Sequence, residues 1–285
     1  MLYLALGVVM LGAPTAPVFA QVFVANAGNG TIGEYTTSGA VMNASLISGL
    51  NQPDDIVIFG GYLFVLSSGS GTLGQYNLDG SVVNAALISG LNQPRSVEIS
   101  GNNIYVANFG SGTIGKYNLN GSIVNASLIS GLNTPWGLAV SGNNIFVGSY
   151  FGSTIGEYTT LGATVNASLI SGVGQPVGLA ISGGNLFVAN NTLNTVGEFT
   201  TAGAAVNASL ISGLNSPTDL AIYGNNLFVA NNNSYVGEYT TAGTTVNPTL
   251  FSANSPFGVA ALPEPSTFAL AALGGASLLL YRRRK

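Results

Sequence analysis

The chain has 285 residues, of which only 6% are charged; it contains no cysteine and no histidine and carries a formal net charge of −4. Those two absences remove disulfides, thiolate nucleophiles, zinc–thiolate centres and both Ser-His-Asp and Cys-His catalysis, so any chemistry must run on Asp, Glu, Tyr, Lys or Ser. Between Gln21 and Leu262 only Arg95 and Lys116 stand against nine carboxylates, which leaves no basic surface for phosphates and excludes nucleic acid as a partner.

Taken in chain order, the first element is an address. An apolar run from Leu2 to Gly12 is broken by Pro14 and Pro17, and Val18-Phe19-Ala20 follows where a signal peptidase reads small residues. No basic residue precedes the run, but the first repeat strand starts directly after Ala20, and residues 1–20 are expected to be a secretory signal peptide.

From Gln21 onward one block of text recurs. Its aromatic marker falls at Phe23, Phe64, Tyr105, Phe146, Phe187 and Phe228, each 41 residues after the last. A period of about 40 with several short strands per unit is the mark of a propeller blade. In the unit that opens at Pro176, turn residues divide the text into strand A (Val177 to Ser182), B (Asn185 to Asn190), C (Thr195 to Thr200) and D (Ala205 to Ile211). Gly183-Gly184 and Thr201-Ala202-Gly203 supply hairpin turns, so the four strands are expected to form one antiparallel sheet. Strand B is apolar on both faces, as a strand sandwiched between neighbouring blades must be. Strand C carries a glycine in every copy (Gly33, Gly74, Gly115, Gly156, Gly197 and Gly237), for which close approach of a neighbouring blade is the expected reason.

The ends of the repeat region argue for a closed ring. The chain opens with B, C and D, runs through five complete units from Pro53, Pro94, Pro135, Pro176 and Pro217, and finishes with a lone A strand from Pro256 to Leu262. Pairing the two ends completes a further blade and removes the open edges of a linear array. The expected fold is all-β: residues 21–262 form a six-bladed β-propeller of four-stranded antiparallel blades, closed by pairing the N-terminal B-C-D strands with the C-terminal A strand. A solenoid or β-helix is the alternative, and it needs no such offset.

The blade text, as in Pro176-Val177-Gly178-Leu179-Ala180-Ile181, Asn185-Leu186-Phe187-Val188-Ala189-Asn190 and Val196-Gly197-Glu198-Phe199, resembles an NHL-type repeat and is similar to YVTN-type and streptogramin-lyase-like propellers. That resemblance implies the fold. It does not bring NHL RNA binding, because Asn or Ser stands at the usual Asp after Val-Ala, nor lyase activity, because the expected catalytic histidine has no counterpart.

Candidate chemistry lies where the repeat breaks. Glu34, Gln75, Lys116, Glu157, Glu198 and Glu238 follow the strand C glycines, too far from the axis to converge, and read as solvated outer-blade charges. Asn-x-Ser sites such as Asn43-Ala44-Ser45 and Asn125-Ala126-Ser127 recur with the repeat and read as turn chemistry. By contrast, the residue after each blade proline is Asp54, Arg95, Trp136, Val177, Thr218 or Phe257, and the next is Asp55, Ser96, Gly137, Gly178, Asp219 or Gly258. Asp54, Asp55 and Asp219, with Glu98 deeper, are a candidate calcium site, similar to the axial divalent-metal site of gluconolactonase-type propellers. The alternative is a structural or solvated role for these acids. Trp136 and Phe257 on A strands, with Phe109, Tyr150 and Phe151 in B-to-C loops and Arg95 beside them, are a candidate saccharide or peptide site. Plugging of the funnel by the same rings is its alternative.

The last element is a second address. Pro263-Glu264-Pro265-Ser266 precedes an apolar stretch from Phe268 to Tyr281 and a basic end, Arg282-Arg283-Arg284-Lys285. The 14 residues of that stretch reach only ~21 Å as a helix, short of a ~30 Å hydrocarbon core. Residues 263–285 resemble the PEP-CTERM sorting signal of Gram-negative bacteria. The resemblance implies transient anchoring in the inner membrane through 268–281, processing by an exosortase near Pro-Glu-Pro, and delivery to the cell surface or extracellular matrix. The sequence thus leads to an exported, non-enzymatic propeller that binds a ligand, an extracellular polysaccharide among the candidates, or serves the matrix. A metal-dependent hydrolase or lactonase using Asp54, Asp55, Asp219 and Glu98 is the rival reading, and a rigid spacer without ligand is the third.

Overall fold

A computed structural model describes residues 20–232 and 234–262. The expected signal peptide up to residue 19 and the sorting tail from residue 263 lie outside the described residues. Within them every regular element is a strand, and the strands form six four-stranded antiparallel sheets. Blade 1 contains β1 (Gln21–Asn26), β2 (Thr31–Thr36) and β3 (Val41–Ile47). Blade 2 is β4 (Pro53–Phe59), β5 (Tyr62–Ser67), β6 (Thr72–Asn77) and β7 (Val82–Ile88). Blade 3 is β8 (Pro94–Ser100), β9 (Asn103–Asn108), β10 (Thr113–Asn118) and β11 (Ile123–Ile129). Blade 4 is β12 (Pro135–Ser141), β13 (Asn144–Ser149), β14 (Thr154–Thr159) and β15 (Thr164–Ser171). Blade 5 is β16 (Pro176–Ser182), β17 (Asn185–Asn190), β18 (Thr195–Thr200) and β19 (Ala205–Ile211). Blade 6 is β20 (Pro217–Tyr223), β21 (Asn226–Asn231), β22 (Tyr235–Thr240) and β23 (Thr245–Ser252), after which β24 (Pro256–Leu262) returns to blade 1. There it pairs antiparallel with β1, from Gln21 opposite Leu262 to Asn26 opposite Pro256, and closes the ring.

The core lies between blades. Strand B is buried after its first residue, as in β17 with Leu186, Val188 and Ala189 fully inaccessible, and its two faces contribute to different apolar clusters. The strand C glycines have a different cause from the expected blade contact. A Cβ on Gly115 would lie 2.8 Å from the ring of Tyr117, two residues on in the same strand, and a Cβ on Gly197 would meet Phe199 at 2.8 Å and the Ala208 carbonyl of strand D at 2.9 Å. Residues i and i+2 share one face of a strand, so the glycine makes room for an aromatic ring folded back along its own blade.

The outer ring of acids also differs from expectation. Glu34, Glu157 and Glu238 are buried, and each accepts a hydrogen bond from the amide at the start of its own strand B. The bonds run from Gln21 to Glu34 (2.6 Å), Asn144 to Glu157 (2.7 Å) and Asn226 to Glu238 (2.8 Å); Asn185 to Glu198 (2.6 Å) repeats the clasp. These carboxylates fasten strand C to strand B rather than solvate the rim. Turn chemistry at the Asn-x-Ser sites matches the reading from sequence. Asn43 and Asn125 accept the amides of Ser45 and Ser127, and Asn84 does the same for Ala86 where no hydroxyl residue follows.

Candidate functional site

One end of the ring is built by a repeated strained turn. The residue before each blade proline (Gln52, Gln93, Thr134, Gln175, Ser216, Ser255) has φ between 46° and 52°. This is a left-handed conformation that costs of order 1 kcal/mol or more in a non-glycine residue. Its carbonyl accepts the amide of the first residue of the same blade's B-to-C loop, at 2.9–3.2 Å in all six blades. Two residues are thereby brought together at each funnel position, one after the proline and one opening the loop. Around the ring the pairs are Phe257 with Ala27, Asp54 with Ser68, Arg95 with Phe109, Trp136 with Tyr150, Val177 with Asn191, and Thr218 with Asn232. The loop-opening position is the part of the site that sequence reading did not isolate; its signal was the same departure from the repeat at a second fixed offset.

Blades 3 and 4 turn these positions into one cluster. Trp136 stacks on Tyr150 with centroids 4.6 Å apart, Phe109 meets Trp136 edge-on at 5.7 Å, and Phe151 packs against Tyr150 at 5.0 Å. The guanidinium of Arg95 lies over Trp136 at 4.5 Å and over Phe109 at 5.5 Å while its Nη1 donates to Asp54 at 2.9 Å. Arg95 is thus held by two rings and a carboxylate, and its Nε is buried without a hydrogen-bond partner among the described residues. Trp136 is already engaged by Tyr150 and Arg95, whereas Phe151 is 65% exposed and forms the open ring of the group. Phe257 lines the same mouth with Asp54, Arg95 and Trp136, outside the stacked cluster.

Below the mouth a channel cavity of ≈ 260 Å³ is lined by Asp55, Glu98 and Asp219 among the apolar residues of the A strands. Asp55 accepts the amides of Ile56 at 2.7 Å and of Val97 in the next blade at 2.8 Å; Asp219 accepts that of Val259 in blade 1 at 2.9 Å. These two acids are staples between inner strands. Burial pushes the Asp55 carboxyl up to about 6, against the amides that favour its charge. Burial, then the charge of Asp55, pushes Glu98 up to about 8. Asp219 is raised well above the usual range by burial and by Asp55, and burial also raises Asp54 although Ser68 and Arg95 favour its charged form.

The candidate calcium ligands Asp54, Asp55 and Asp219 are each engaged by other partners. Among the described residues no three acidic side chains are grouped so as to hold a metal ion. The physical reason is prior engagement: Asp54 turns to Arg95, and Asp55 and Asp219 spend oxygens on neighbouring amides. The arrangement suits an acidic network that keeps protons near neutral pH. Of the sequence-identified aromatics, the structure gathers Phe109, Trp136, Tyr150 and Phe151 around Arg95 and leaves Phe257 at the margin.

At the C-terminal side of this ring the chain continues into its last residues, and residues 261–285 match the PEP-CTERM protein-sorting motif. The protein is a six-bladed propeller with a PEP-CTERM motif. That motif marks export with a membrane-anchored sorting step and processing by an exosortase. Pro263, Glu264, Pro265, Arg282, Arg283 and Arg284 all fall inside the matched segment. No curated protein matches the chain by sequence. Among solved structures, the PEP-CTERM propeller is similar to a chain of a nidogen/laminin complex (TM-score 0.71, 13% identity, covering 86% of this chain and 99% of that one). It is similar also to a protein of unknown function from Bacteroides caccae (0.68, 17%, 87% and 100%) and to a streptogramin B lyase (0.64, 18%, 88% and 89%). At these identities the likeness is one of fold.

Proposed function

We propose that the exported propeller is a non-enzymatic binding component of the cell surface or extracellular matrix, and that it takes a saccharide at the loop-bearing mouth of blades 3 and 4. One observation carries this reading: Phe109, Trp136, Tyr150 and Phe151 are collected in a single sector around Arg95, at positions where the other blades place Asp54, Val177, Thr218 and Phe257 after the proline, Ala27, Ser68, Asn191 and Asn232 at the loop opening, and Gly28, Gly69, Gly110 and Thr192 in place of Phe151. An exposed ring on a rigid aromatic base offers a C–H face of a sugar a stacking surface, and the neighbouring Ser, Thr and Asn groups offer directional hydrogen bonds. The pairing of Arg95 with Asp54 leaves the mouth without a free base, which favours a neutral or basic sugar over a polyanion. A glycan array on the purified protein tests the reading. Binding of neutral oligosaccharides that Phe151→Ala abolishes supports it; an empty array, or binding indifferent to Phe151, removes it.

A further inference from the structure

We infer that the opposite end of the propeller, the end that bears the chain termini, docks on the lipid bilayer through a ring of exposed aliphatic side chains while the protein is anchored. This inference rests on the membrane-anchored sorting step and is independent of the saccharide reading.

Strand D of every blade exposes an apolar residue at one or both of its first two positions. Val41 and Met42, Val82 and Val83, and Ile123 and Val124 occupy the first two positions in blades 1 to 3, Ile123 being 68% exposed, and blades 4 to 6 keep a valine at the second. Leu161, in the turn before strand D of blade 4, is 86% exposed. Single exposed apolar residues need no explanation, but the same positions exposed around a whole ring do. Blade packing does not require them, because they lie outside the interblade clusters.

Their place in the sheets fixes which end they belong to. In blade 3 Ile123 is paired with Tyr117, Tyr117 with Ile104, and Ile104 with Ile99, one residue short of the end of strand A. The same row in blade 1 runs Val41, Tyr35, Val22, Ala261, one residue short of Leu262. The amide of Thr37, in the turn before β3, donates to the carbonyl of Ala20 at 3.2 Å. The aliphatic ring therefore surrounds the end from which the chain leaves for its sorting tail, opposite the loop-bearing mouth.

Chain length then selects the occupant. Five residues, 263–267, separate Leu262 from the apolar stretch that starts at Phe268, and five residues span at most about 17 Å. With that stretch in a bilayer, this end of the propeller faces the lipid surface at close range, and a tether so short makes even a weak contact effectively intramolecular. Charge agrees with an apolar contact. The A-to-B and C-to-D turns and all D strands contain a single ionisable acid, Asp79, and no base. Docking therefore needs no anionic lipid, in contrast to polybasic membrane segments.

The lack of cysteine in the chain permits a clean test. The full-length protein carrying Val124→Cys, labelled with an environment-sensitive fluorophore, is reconstituted into phosphatidylcholine vesicles beside a Leu193→Cys control labelled in a B-to-C loop of the opposite end. The Val124 label is expected to shift to the blue and resist an aqueous quencher, unaffected by added salt, while the Leu193 label stays quenchable. Equal quenching of both labels, with the protein co-sedimenting with vesicles, overturns the docking and leaves the anchor intact. Failure to co-sediment overturns the anchor and the docking together. A blue shift that grows with the protein-to-lipid ratio assigns the ring to a second copy of the chain and overturns the lipid contact. In a Val83→Cys background, Ile123→Ser with Val124→Ser is expected to raise quenching at position 83; unchanged quenching there counts against the ring.

Discussion

The two ends of the propeller obey opposite rules. At the end that bears the termini, turns and the starts of strand D repeat with little change; the A-to-B turns there are open, so that a Cβ on Gly60 or Gly61 would meet nothing within 4 Å, whereas one on Gly39 in a C-to-D turn would meet the Leu250 carbonyl at 2.6 Å. At the mouth, six different residues follow the six prolines, and the backbone is crowded, so that a Cβ on Gly258 would lie 2.7 Å from the Cα of Asp55 in the next blade. A ring of equal blades needs identical turns to keep its period, but only near the axis do different blades come close enough to share one ligand. Variation is therefore concentrated where convergence is geometrically available.

The largest expected effect probes that crowding. Gly258→Ala should lower unfolding free energy by about 3 kcal/mol in a denaturant titration, since a rigid backbone must move to admit the methyl group. Gly61→Ala, at the open end, should cost only about 1 kcal/mol through its positive φ of 80°. Equal losses would erase the contrast between the crowded A strands and the open A-to-B turns.

Next in size is the Arg95–Asp54 pair. Arg95→Ala leaves a buried carboxyl without its partner and removes a cation from two aromatic faces, for an expected loss of about 2 kcal/mol. Adding Asp54→Asn should recover part of it, and a strictly additive double mutant would show that the pair is not coupled.

The channel sets a pH dependence as well. Unfolded carboxyls titrate at about 4, whereas Asp55 is held at about 6 and Glu98 at about 8 in the fold. Across that window the folded state binds more protons than the unfolded state, so the stabilisation is complete at low pH and is lost as pH climbs through both values. Thermal midpoints should fall between about pH 4 and 8, and Glu98→Gln should flatten the upper part of the fall. A midpoint that rises with pH contradicts the buried network. Smallest of all, millimolar calcium should leave the midpoint where it was, because both oxygens of Asp55 and one of Asp219 already accept backbone amides and Asp54 faces Arg95; a clear upward shift supports the metal reading.

Much of the fold was legible because the repeat is nearly free of drift. The strands expected from Asn185 to Asn190, Thr195 to Thr200 and Ala205 to Ile211 are β17, β18 and β19 as observed, and the offset ends do pair as β24 with β1. Arg95 and Trp136 were legible from departures within the repeat, and Phe109, Tyr150 and Phe151 as aromatic residues in loops on the same face; that the loop-opening position varies at a fixed offset was not. What sequence could not give is which neighbour each side chain chooses. The strand C glycines answer to Tyr117 and its equivalents in the same strand, a choice of rotamer rather than of pattern. Glu34 and its equivalents clasp an amide at the start of strand B because pairing in the sheet puts Phe23 opposite Glu34, with Gln21 on the same face. Asp55 and Asp219 look like free ligands until the interblade amides are seen.

The central claim, a saccharide site at the mouth of blades 3 and 4, has a built-in reporter, because Trp136 is the single tryptophan of the chain and stacks on Tyr150 within the cluster. Emission of Trp136 should change saturably on titration with a neutral oligosaccharide selected by array, and the change should vanish in Phe151→Ala at unchanged thermal midpoint. A flat titration in the native protein, or a saturable change that survives Phe151→Ala, contradicts the account.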